Sequence, residues 1–463
     1  MEFLQSIYKL VWGVPALVLI LGLGLYLSFR TGFAQIRLFP RACSMFMLRM
    51  FGGKQFGSGV SSFQALCTAL AATVGTGNLA GVAGAITIGG PGSVFWMWIC
   101  GLVGMLIKCA EATLAVRYRQ KNSAGEYVGG PMYMIREGLP KAFAPLAGLY
   151  AFFGVVAAFG VGNATQINTV ISSLENTLVA FDWILPFGGK LLIGILLSIL
   201  IGLILLGGAR RIGSIAELLV PFAAGVYLLL GIFVLCLRFS AIDDAFRAIF
   251  QGAFHPSAVT GGMVGSWIVG LRTGVSRGVF TNEAGMGTAS IAHACASVEH
   301  PMEQGLMGIV EVFLDTIVIC TMTALVILCS GISVPYGMAA GIELTGHAFA
   351  SVLGPWVGVV ITASLCLFAL ATVLGWGLYG IRCAQYLFGD GVWRLFALLQ
   401  VATVILGAVL QTQTVWLMAE IINGLMAIPN LIALLGLTPK FIHIYKSYIH
   451  GGTYENFHQC QSL

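Results

Sequence analysis

Charge is what this sequence has least of. Only 9% of its 463 residues are Asp, Glu, Lys or Arg, whereas 58% are apolar. A typical soluble domain contains roughly 25% charged residues. A water-soluble protein of this length could not cover its surface with so few charges, so that class is excluded. We therefore predict an all-α integral membrane protein, multi-pass and surrounded by a lipid bilayer.

Motifs for metal binding, nucleic-acid binding and catalysis are also missing. The 11 cysteines form no C-x-x-C pair, and the seven histidines show no H-x-x-x-H or H-E-x-x-H spacing. A metal centre is therefore not expected. No basic stretch interleaved with aromatic residues predicts a nucleic-acid partner, and no like-charge run is present. No Ser/His/Asp constellation indicates an enzyme, and no cofactor is predicted.

Long apolar runs are what the sequence does contain. A helix needs about 20 apolar residues to cross roughly 30 Å of hydrocarbon. On that basis the sequence predicts about eleven membrane-spanning helices. The predicted spans are 11–29, 62–86, 92–116, 143–170, 190–208, 214–237, 257–290, 305–330, 351–377, 391–410 and 413–436.

The connecting loops predict the orientation, because Lys and Arg accumulate on the cytoplasmic side. Alternate loops carry sixteen of these residues, at 30, 37, 41, 49, 54, 117, 119, 121, 136, 141, 210, 211, 382, 394, 440 and 446. The opposite loops carry four, which are Lys9, Lys190, Arg238 and Arg247. We therefore expect the N-terminus outside and the C-terminus in the cytoplasm. The expected location is the plasma (inner) membrane.

Two of the spans contain polar and glycine-rich stretches that do not suit a plain helix. The second span carries the run 73–78, Thr-Val-Gly-Thr-Gly-Asn, and the seventh carries many glycines together with Arg272 and Arg277. Small residues also allow close helix packing, which is the alternative explanation. Polar residues between glycines at mid-bilayer favour a break, since freed backbone groups must line a cavity or meet a ligand. We predict breaks at Val74–Asn78 and near Gly270 to Ser276.

The two predicted breaks occupy matching places in the chain. Without the first helix, ten spans remain, and the breaks lie in core helices one and six, which open two five-helix halves. Interrupted helices at corresponding positions point to a transporter site, and an odd number of helices per half requires inverted topology. The predicted units are 1–57 (extra helix and linker), 58–254 (first repeat), 255–437 (second repeat) and 438–463 (cytoplasmic tail).

The first break predicts a site for an amino acid and a cation. A restarting helix presents N–H groups and a positive dipole end, whereas a stopping helix presents free carbonyls. Thr76 and Gly77 would offer amides to a carboxylate, and Asn78 would add a polar contact. The carbonyls of Ala71, Thr73 and Val74 would bind a cation such as sodium, as half-helix ends do in transporters. Thr73 and Val74 also begin the polar run.

Further candidates lie on other spans. Thr273, Gly274 and Ser276 would close the other side of the substrate at the second break. Gln166 and Asn168 in core helix three either face the cavity or form helix–helix hydrogen bonds, and the sequence does not separate these two readings.

Core helices seven and eight add three more polar or aromatic candidates. Thr372 and Trp376 share a helix face, so the first would offer a hydroxyl to a cation and the second would wall the pocket, with plain packing as the alternative. Asp315 is the deepest acidic residue, and we expect it to carry a proton, help bind the cation, or pair with Lys108 or a buried Arg. Lys108 and Glu111 are expected to form a structural i,i+3 pair.

Several motifs resemble those of one known family, the alanine or glycine:cation symporters. They are Phe63–Leu66 with Ala69–Asn78, Gly89–Gly92 with Phe95–Trp98, Gly129–Tyr133, Arg277–Gly285 and Leu314–Val318. The resemblance implies a leucine-transporter-type fold of ten core helices plus one, with sodium-coupled uptake of L-alanine or glycine. It also implies that Thr76 and Gly77 bind the substrate carboxylate, and that Ala71, Val74 and Thr372 bind sodium. Glu311 stands where a small residue is more usual.

Alternating access is the predicted mechanism, and four other functions compete with it. A channel needs a continuous polar pore, for which the spans hold too few polar positions. A membrane-embedded enzyme needs a catalytic constellation that the sequence lacks. A proton-coupled symporter, or a non-transporting amino-acid sensor with the same fold, remains the alternative to a sodium symporter.

Overall fold

The computed structural model describes residues 4, 7, 11–52, 59–179, 181–338, 341–409 and 412–451. Nearly all of their regular structure is helical. In this part of the chain one short antiparallel hairpin occurs, formed by β1 (Gln120–Lys121) and β2 (Tyr127–Val128). The predicted all-α class is therefore confirmed.

The helices before residue 260 are numbered in chain order. They are α1 (Val14–Thr31), α2 (Ala34–Arg37), α3 (Phe39–Phe51), α4 (Ser62–Thr73), α5 (Val82–Gly89), α6 (Ser93–Arg117), α7 (Pro131–Gly138), α8 (Ala144–Phe159), α9 (Thr165–Val179), α10 (Phe187–Leu205), α11 (Gly208–Leu237), α12 (Ile242–Phe254) and α13 (Pro256–Thr260).

The remaining helices are α14 (Trp267–Asn282), α15 (Thr288–Ala294), α16 (Pro301–Val312), α17 (Thr321–Cys329), α18 (Ile342–Leu353), α19 (Val357–Phe388), α20 (Trp393–Val409) and α21 (Thr412–Ile449). Short 3₁₀ turns occupy Lys141–Phe143, Phe239–Ala241 and Asp390–Val392.

Three segments of π-helix interrupt the helical ladders. They are π1 (Gly77–Gly81), π2 (Gly160–Ala164) and π3 (Phe313–Cys320). Each one lies inside a predicted span, between two α-helical pieces. Such segments are rare and mark places where the backbone departs from the regular i to i−4 pattern, frequently at functional sites.

The helices are long enough for a multi-pass membrane protein. Eight described helical stretches have the length and apolarity to cross a membrane, and the bent pair of α4 with π1 and α5 makes up to nine. Helix α1 is apolar but shorter. The predicted number of eleven spans and the inverted repeat stay predictions.

The last helix is longer than the sequence suggests. Helix α21 continues to Ile449, past the predicted end at residue 436 and into the segment assigned to the tail. Residues 452–463 of that tail, together with Lys9 and Lys54 of the charge count, lie outside the described residues.

Polarity is distributed inside out relative to a water-soluble protein. Large apolar side chains such as Leu218 and Leu229 are 76% and 69% exposed, whereas Lys108, Glu111 and Glu311 are fully buried. Exposed apolar surface of this extent is stable against lipid tails and not in water. The charged residues at the centre of the bundle therefore require partners, which positions the candidate site.

Candidate functional site

The first predicted break is present. Helix α4 ends at Thr73, Val74 is extended (φ −76°, ψ 105°), and the chain restarts in π1 at Gly77. The two helical pieces are bent by 50° relative to each other. Ser61 starts α4 with a capping box to Gln64, which fixes the entry of the helix far from the break.

Two carbonyls at this break lose the donors they would have in a continuous helix. The Gly75 amide, which would donate to Ala71, donates to Asn78 Oδ1 at 2.9 Å. The Asn78 amide, which would donate to Val74, donates to the Gly75 carbonyl at 3.2 Å. Ala71 and Val74, both predicted as cation ligands, therefore have carbonyl oxygens released from the regular i to i−4 pattern.

The Asn78 side chain is committed to shaping the break. Its Nδ2 group donates to Asp315 Oδ1 at 2.7 Å and to the Asp315 carbonyl at 3.3 Å, while its Oδ1 accepts from Gly75. Asn78 is fully buried. It therefore ties π1 to π3 and holds the backbone of the break in place.

Three predicted residues from different helices meet at the break. Thr76 Oγ1 donates to Gln166 Oε1 at 3.3 Å. A Cβ placed on Gly75 would lie 2.8 Å from Thr372 Oγ1 and 3.7 Å from Gln166 Oε1, so only glycine leaves room there. The Thr372 hydroxyl donates to the Phe368 carbonyl at 2.9 Å, which leaves its oxygen lone pairs for a cation.

Segment π2 and Trp376 close the same region. Gln166 Nε2 donates to the Val161 carbonyl in π2 at 3.1 Å, which orients the amide towards Thr76. Trp376 is fully buried, and a Cβ on Gly162 would overlap its side chain. Trp376 therefore lies on the π2 backbone one helical turn from Thr372, as a wall of the pocket would.

Two predicted ligands occupy less direct positions. Thr73 is buried, and its hydroxyl bonds back to the Ala69 carbonyl at 3.2 Å, as threonines in membrane helices do. Asn168 is half-buried on α9. It is two residues beyond Gln166 and therefore faces away from it.

The prediction of a second break near Gly270 to Ser276 is wrong. Helix α14 is continuous through Thr273, Gly274 and Ser276. A Cβ on Gly270 would lie 3.0 Å from the Gly89 carbonyl, and one on Gly278 would lie 3.1 Å from Cys100. With Gly274 between them, these glycines recur every four residues and allow α14 to pack closely on α5 and α6.

Thr273 and Gly274 are consequently distant from the first break. Helix α14 meets Gly77 at Phe280 and Thr281. Seven residues of helix separate Thr281 from Gly274, which is about 10 Å along the axis. The structure therefore does not bring Thr273 and Gly274 to Thr76 and Gly77.

The second break lies at Glu283–Gly287 instead. Glu283 ends α14 with a left-handed φ of 53°, and Gly285 and Gly287 have φ of 93° and 79°. The amides of these two glycines donate to Glu111 Oε1 at 3.0 and 3.1 Å. Asn430 Nδ2 donates to the same oxygen at 2.6 Å. A buried carboxylate thus fills the role of an anion at this break.

Neighbouring residues in π3 join the two breaks. Asn282, at the end of α14, donates to Thr316 Oγ1 at 3.1 Å, and Thr316 donates to Asp315 Oδ2 at 2.9 Å. Asp315 in turn accepts from Asn78. The expected pair of Asp315 with Lys108 is not formed. Asp315 is hydrogen-bonded to Asn78 and Thr316, whereas Lys108 forms its ion pair with Glu311 at 3.3 Å.

Sequence reasoning missed Glu111, Glu283 and Glu311 as parts of the central network. One signal was present, because Asn282-Glu283-Ala284-Gly285-Met286-Gly287 repeats the polar and twin-glycine pattern of the first break. The buried partners on α6 and α16 are distant in sequence and carry no such pattern.

The sequence is similar to those of known transporters. The sequence model of the sodium:alanine symporter family matches residues 1–458. The sodium/alanine symporter AgcS of Methanococcus maripaludis is 41% identical over 452 residues, covering 96% of this chain and 97% of that protein. An uncharacterized transporter of Haemophilus influenzae is 44% identical over 450 residues, covering 96% of each.

A solved structure shares the fold. The crystal structure of MhsT in complex with L-phenylalanine superposes with a TM-score of 0.58, covering 85% of this chain and 90% of that chain at 16% identity. The expected leucine-transporter-type fold is thereby confirmed.

Proposed function

The chain belongs to the sodium:alanine symporter family, and from this premise we propose that it carries alanine or glycine into the cell together with sodium. The protein is a multi-pass membrane transporter by family and by its apolar helices. We place it in the plasma (inner) membrane, N-terminus outside, on the Lys and Arg distribution of its loops.

The observation that carries the proposal is the release of the Ala71 and Val74 carbonyls at a buried break. Together with the Thr372 hydroxyl, they supply hard oxygen ligands of the kind that binds sodium in broken helices. Thr73 would add its carbonyl from the same turn. In a regular helix the Gly75 amide would donate to the Ala71 carbonyl. Here the Asn78 side chain accepts from that amide, so the Ala71 carbonyl stays available to a cation.

The amino acid would bind on the restarting side of the same break. The first N–H groups of a helix lack intrahelical partners, so Thr76 and Gly77 would donate to the substrate carboxylate. Gln166 would position Thr76, and Trp376 would limit the space for the side chain. These contacts favour a small substrate such as L-alanine or glycine.

The other predicted residues take outer positions in this proposal. Asn168, Thr273, Gly274 and Ser276 would contact the substrate only along its route, since the first break lies elsewhere. Asn78 would act by shaping the break. Asp315 would couple the two breaks through Asn78 and Thr316.

Sodium entry along its gradient would drive the transport by alternating access. The membrane potential contributes about 2.3 kcal/mol per charge for each 100 mV. The transport cycle would therefore be electrogenic, with inward positive current accompanying uptake.

Purified protein in liposomes tests the proposal. Radiolabelled alanine or glycine should accumulate with an inward sodium gradient and should not accumulate when choline replaces sodium. Accumulation driven by a proton gradient in choline would favour the proton-coupled alternative. Saturable alanine binding without accumulation in any gradient would identify a sensor and contradict transport.

A further inference from the structure

Behind the second break lies a cluster of buried ionisable side chains that the proposed site does not use. Lys108, Glu111, His293 and Glu311 are 0% exposed, and Glu283 is 3% exposed. They come from α6, α15, α16 and the break itself. Groups of this kind are costly at the centre of a membrane protein unless their charges balance.

The hydrogen-bond partners of His293 fit a ring that carries a single proton. Gln304 Oε1 accepts from the Ser62 hydroxyl at 2.7 Å, and Gln304 Nε2 donates to the Ser62 carbonyl at 3.4 Å. The same Nε2 group lies 2.7 Å from His293 Nδ1, which must therefore accept. His293 Nε2 then carries the single ring proton and donates to Glu311 Oε2 at 2.7 Å.

The remaining charges do not balance. Lys108 compensates Glu311, to which it is ion-paired at 3.3 Å. Glu111 Oε1 accepts from two backbone amides and from Asn430, as an ionised carboxylate does. Neither Glu111 nor Glu283 has a cation of its own. Glu111 then carries one net negative charge, and ionisation of Glu283 would raise the net charge of this buried cluster to two negative charges, which is unfavourable away from water.

The cluster does not have the geometry of a metal-binding site. The described residues contain no group of three or more His, Cys, Asp and Glu side chains placed to hold a metal ion. The smallest cation, a proton, requires only one acceptor atom. It can be exchanged along a route too narrow for a hydrated ion.

Unsatisfied buried atoms point to the same conclusion independently. The Tyr379 hydroxyl, 1% exposed, has no hydrogen-bond partner. Glu111 Oε2 is also buried without a donor. Buried polar atoms without partners call for an explanation, and an exchangeable proton in this cluster supplies one.

Glu283 is the carboxyl group positioned for exchange. Its Oε2 atom accepts a 2.5 Å hydrogen bond from Thr288 Oγ1, so a proton would reside on Oε1. It alone of the three clustered glutamates has any exposure. It is also the residue that ends α14, with a left-handed backbone conformation.

Several ionisable groups on other elements interact electrostatically with Glu283. They are Lys108 of α6, Tyr150 of α8, Glu311 of α16, Asp315 of π3 and Tyr379 of α19. Glu111 of α6 binds the same break through Gly285 and Gly287, and His293 of α15 binds Glu311.

We propose that Glu283 carries an exchangeable proton that holds the second break in the conformation seen here. Loss of this proton to water would leave two uncompensated carboxylates, Glu111 and Glu283, beside one five-residue turn. Their repulsion would open the turn and release the Gly285 and Gly287 amides from Glu111. The inference goes beyond sodium and amino-acid binding at the first break and does not depend on them.

Infrared difference spectroscopy of the purified full-length protein tests this proposal. Between neutral and alkaline pH, the wild type should lose the C=O stretching band of a buried protonated carboxyl group. The band should be absent in Glu283→Gln and retained in Asp244→Asn, a control at a carboxylate whose side chain is 81% exposed. A wild type without this band, or a Glu283→Gln variant that keeps it, would overturn the proposal.

A second variant keeps the test decisive if Glu283→Gln does not fold. Thr288→Val preserves shape and removes the hydrogen bond to Glu283 Oε2, so the band should persist at higher frequency. An unshifted band in Thr288→Val would place the proton on another group and overturn the assignment. Sodium-dependent uptake, measured on the same preparations, reports separately on the proposed transport.

Discussion

Asn78 in the first break and Asp315 in π3 are joined by a 2.7 Å hydrogen bond between two fully buried side chains. The other Asp315 oxygen accepts from Thr316, which accepts in turn from Asn282 at the start of the second break. The two breaks are therefore connected through two consecutive residues. A rearrangement of either break has to alter this chain of hydrogen bonds.

Replacing Asn78 with Asp should abolish sodium-dependent uptake. The substitution places a second carboxylate 2.7 Å from Asp315 and removes the donor to it. Leaving a buried polar group unsatisfied costs about 1–3 kcal/mol, and more for a charged group. Uptake assays in proteoliposomes, with thermal stability of the detergent-solubilised protein, measure both effects.

The double variant Asn78→Asp with Asp315→Asn exchanges donor and acceptor and should restore part of the uptake. The uptake of the double variant would then be higher than the two single losses predict when added, as double-mutant cycles show for residues in contact. Additive losses in the double variant would mean that the contact between the two side chains does not support transport.

The Gly75→Ala substitution should eliminate uptake while the protein still folds. An added Cβ would lie 2.8 Å from the Thr372 hydroxyl, inside the space assigned to the sodium ligands. Gly225→Ala is the matched control, since a Cβ there meets nothing within 4 Å. Equal uptake by the two variants, at equal expression, would contradict a functional role for the space beside Thr372.

Gly285→Ala should destabilise the protein. Gly285 has a φ of 93°, a conformation that costs a residue with a side chain about 1–3 kcal/mol. Gly148→Ala serves as the control, because that glycine is in helix α8 and a Cβ there has open space. A lower melting temperature is expected for Gly285→Ala alone. Identical melting temperatures would mean that the second break tolerates a side chain.

The first break could be predicted because its signal is local. Glycine, threonine and asparagine alternate within the six residues 73–78, inside a span that must otherwise satisfy its backbone internally. The freed carbonyls of Ala71 and Val74 follow from where the helix stops. Thr76, Gln166 and Thr372 could be predicted only as separate candidates, because their grouping depends on how three helices pack.

The second break was misplaced because glycine has two uses in a membrane helix. Gly270, Gly274 and Gly278 recur every four residues, and this spacing forms a smooth face that packs on α5 and α6. Glycines at 285 and 287 are two apart and follow Asn282 and Glu283, so they cannot share one helix face. Spacing, and not glycine density, separates the two uses.

The buried charges could not be paired from the sequence. Lys108 was expected to pair with Glu111 one turn away, yet it pairs with Glu311, which is about 200 residues further along the chain. Glu111 caps the second break instead. Pairings of this kind are set by helix packing, for which a single sequence carries no local pattern.

The most direct test of the sodium site is alanine binding to purified protein at increasing sodium concentration. Thr372→Val removes one proposed ligand and keeps the side-chain shape, whereas Thr403→Val removes an exposed hydroxyl with the same intrahelical bond. We expect Thr372→Val to require about tenfold more sodium for half-maximal binding, as the loss of roughly 1.4 kcal/mol gives, with Thr403→Val unchanged. Sodium dependence in Thr372→Val identical to that of the wild type would contradict the account.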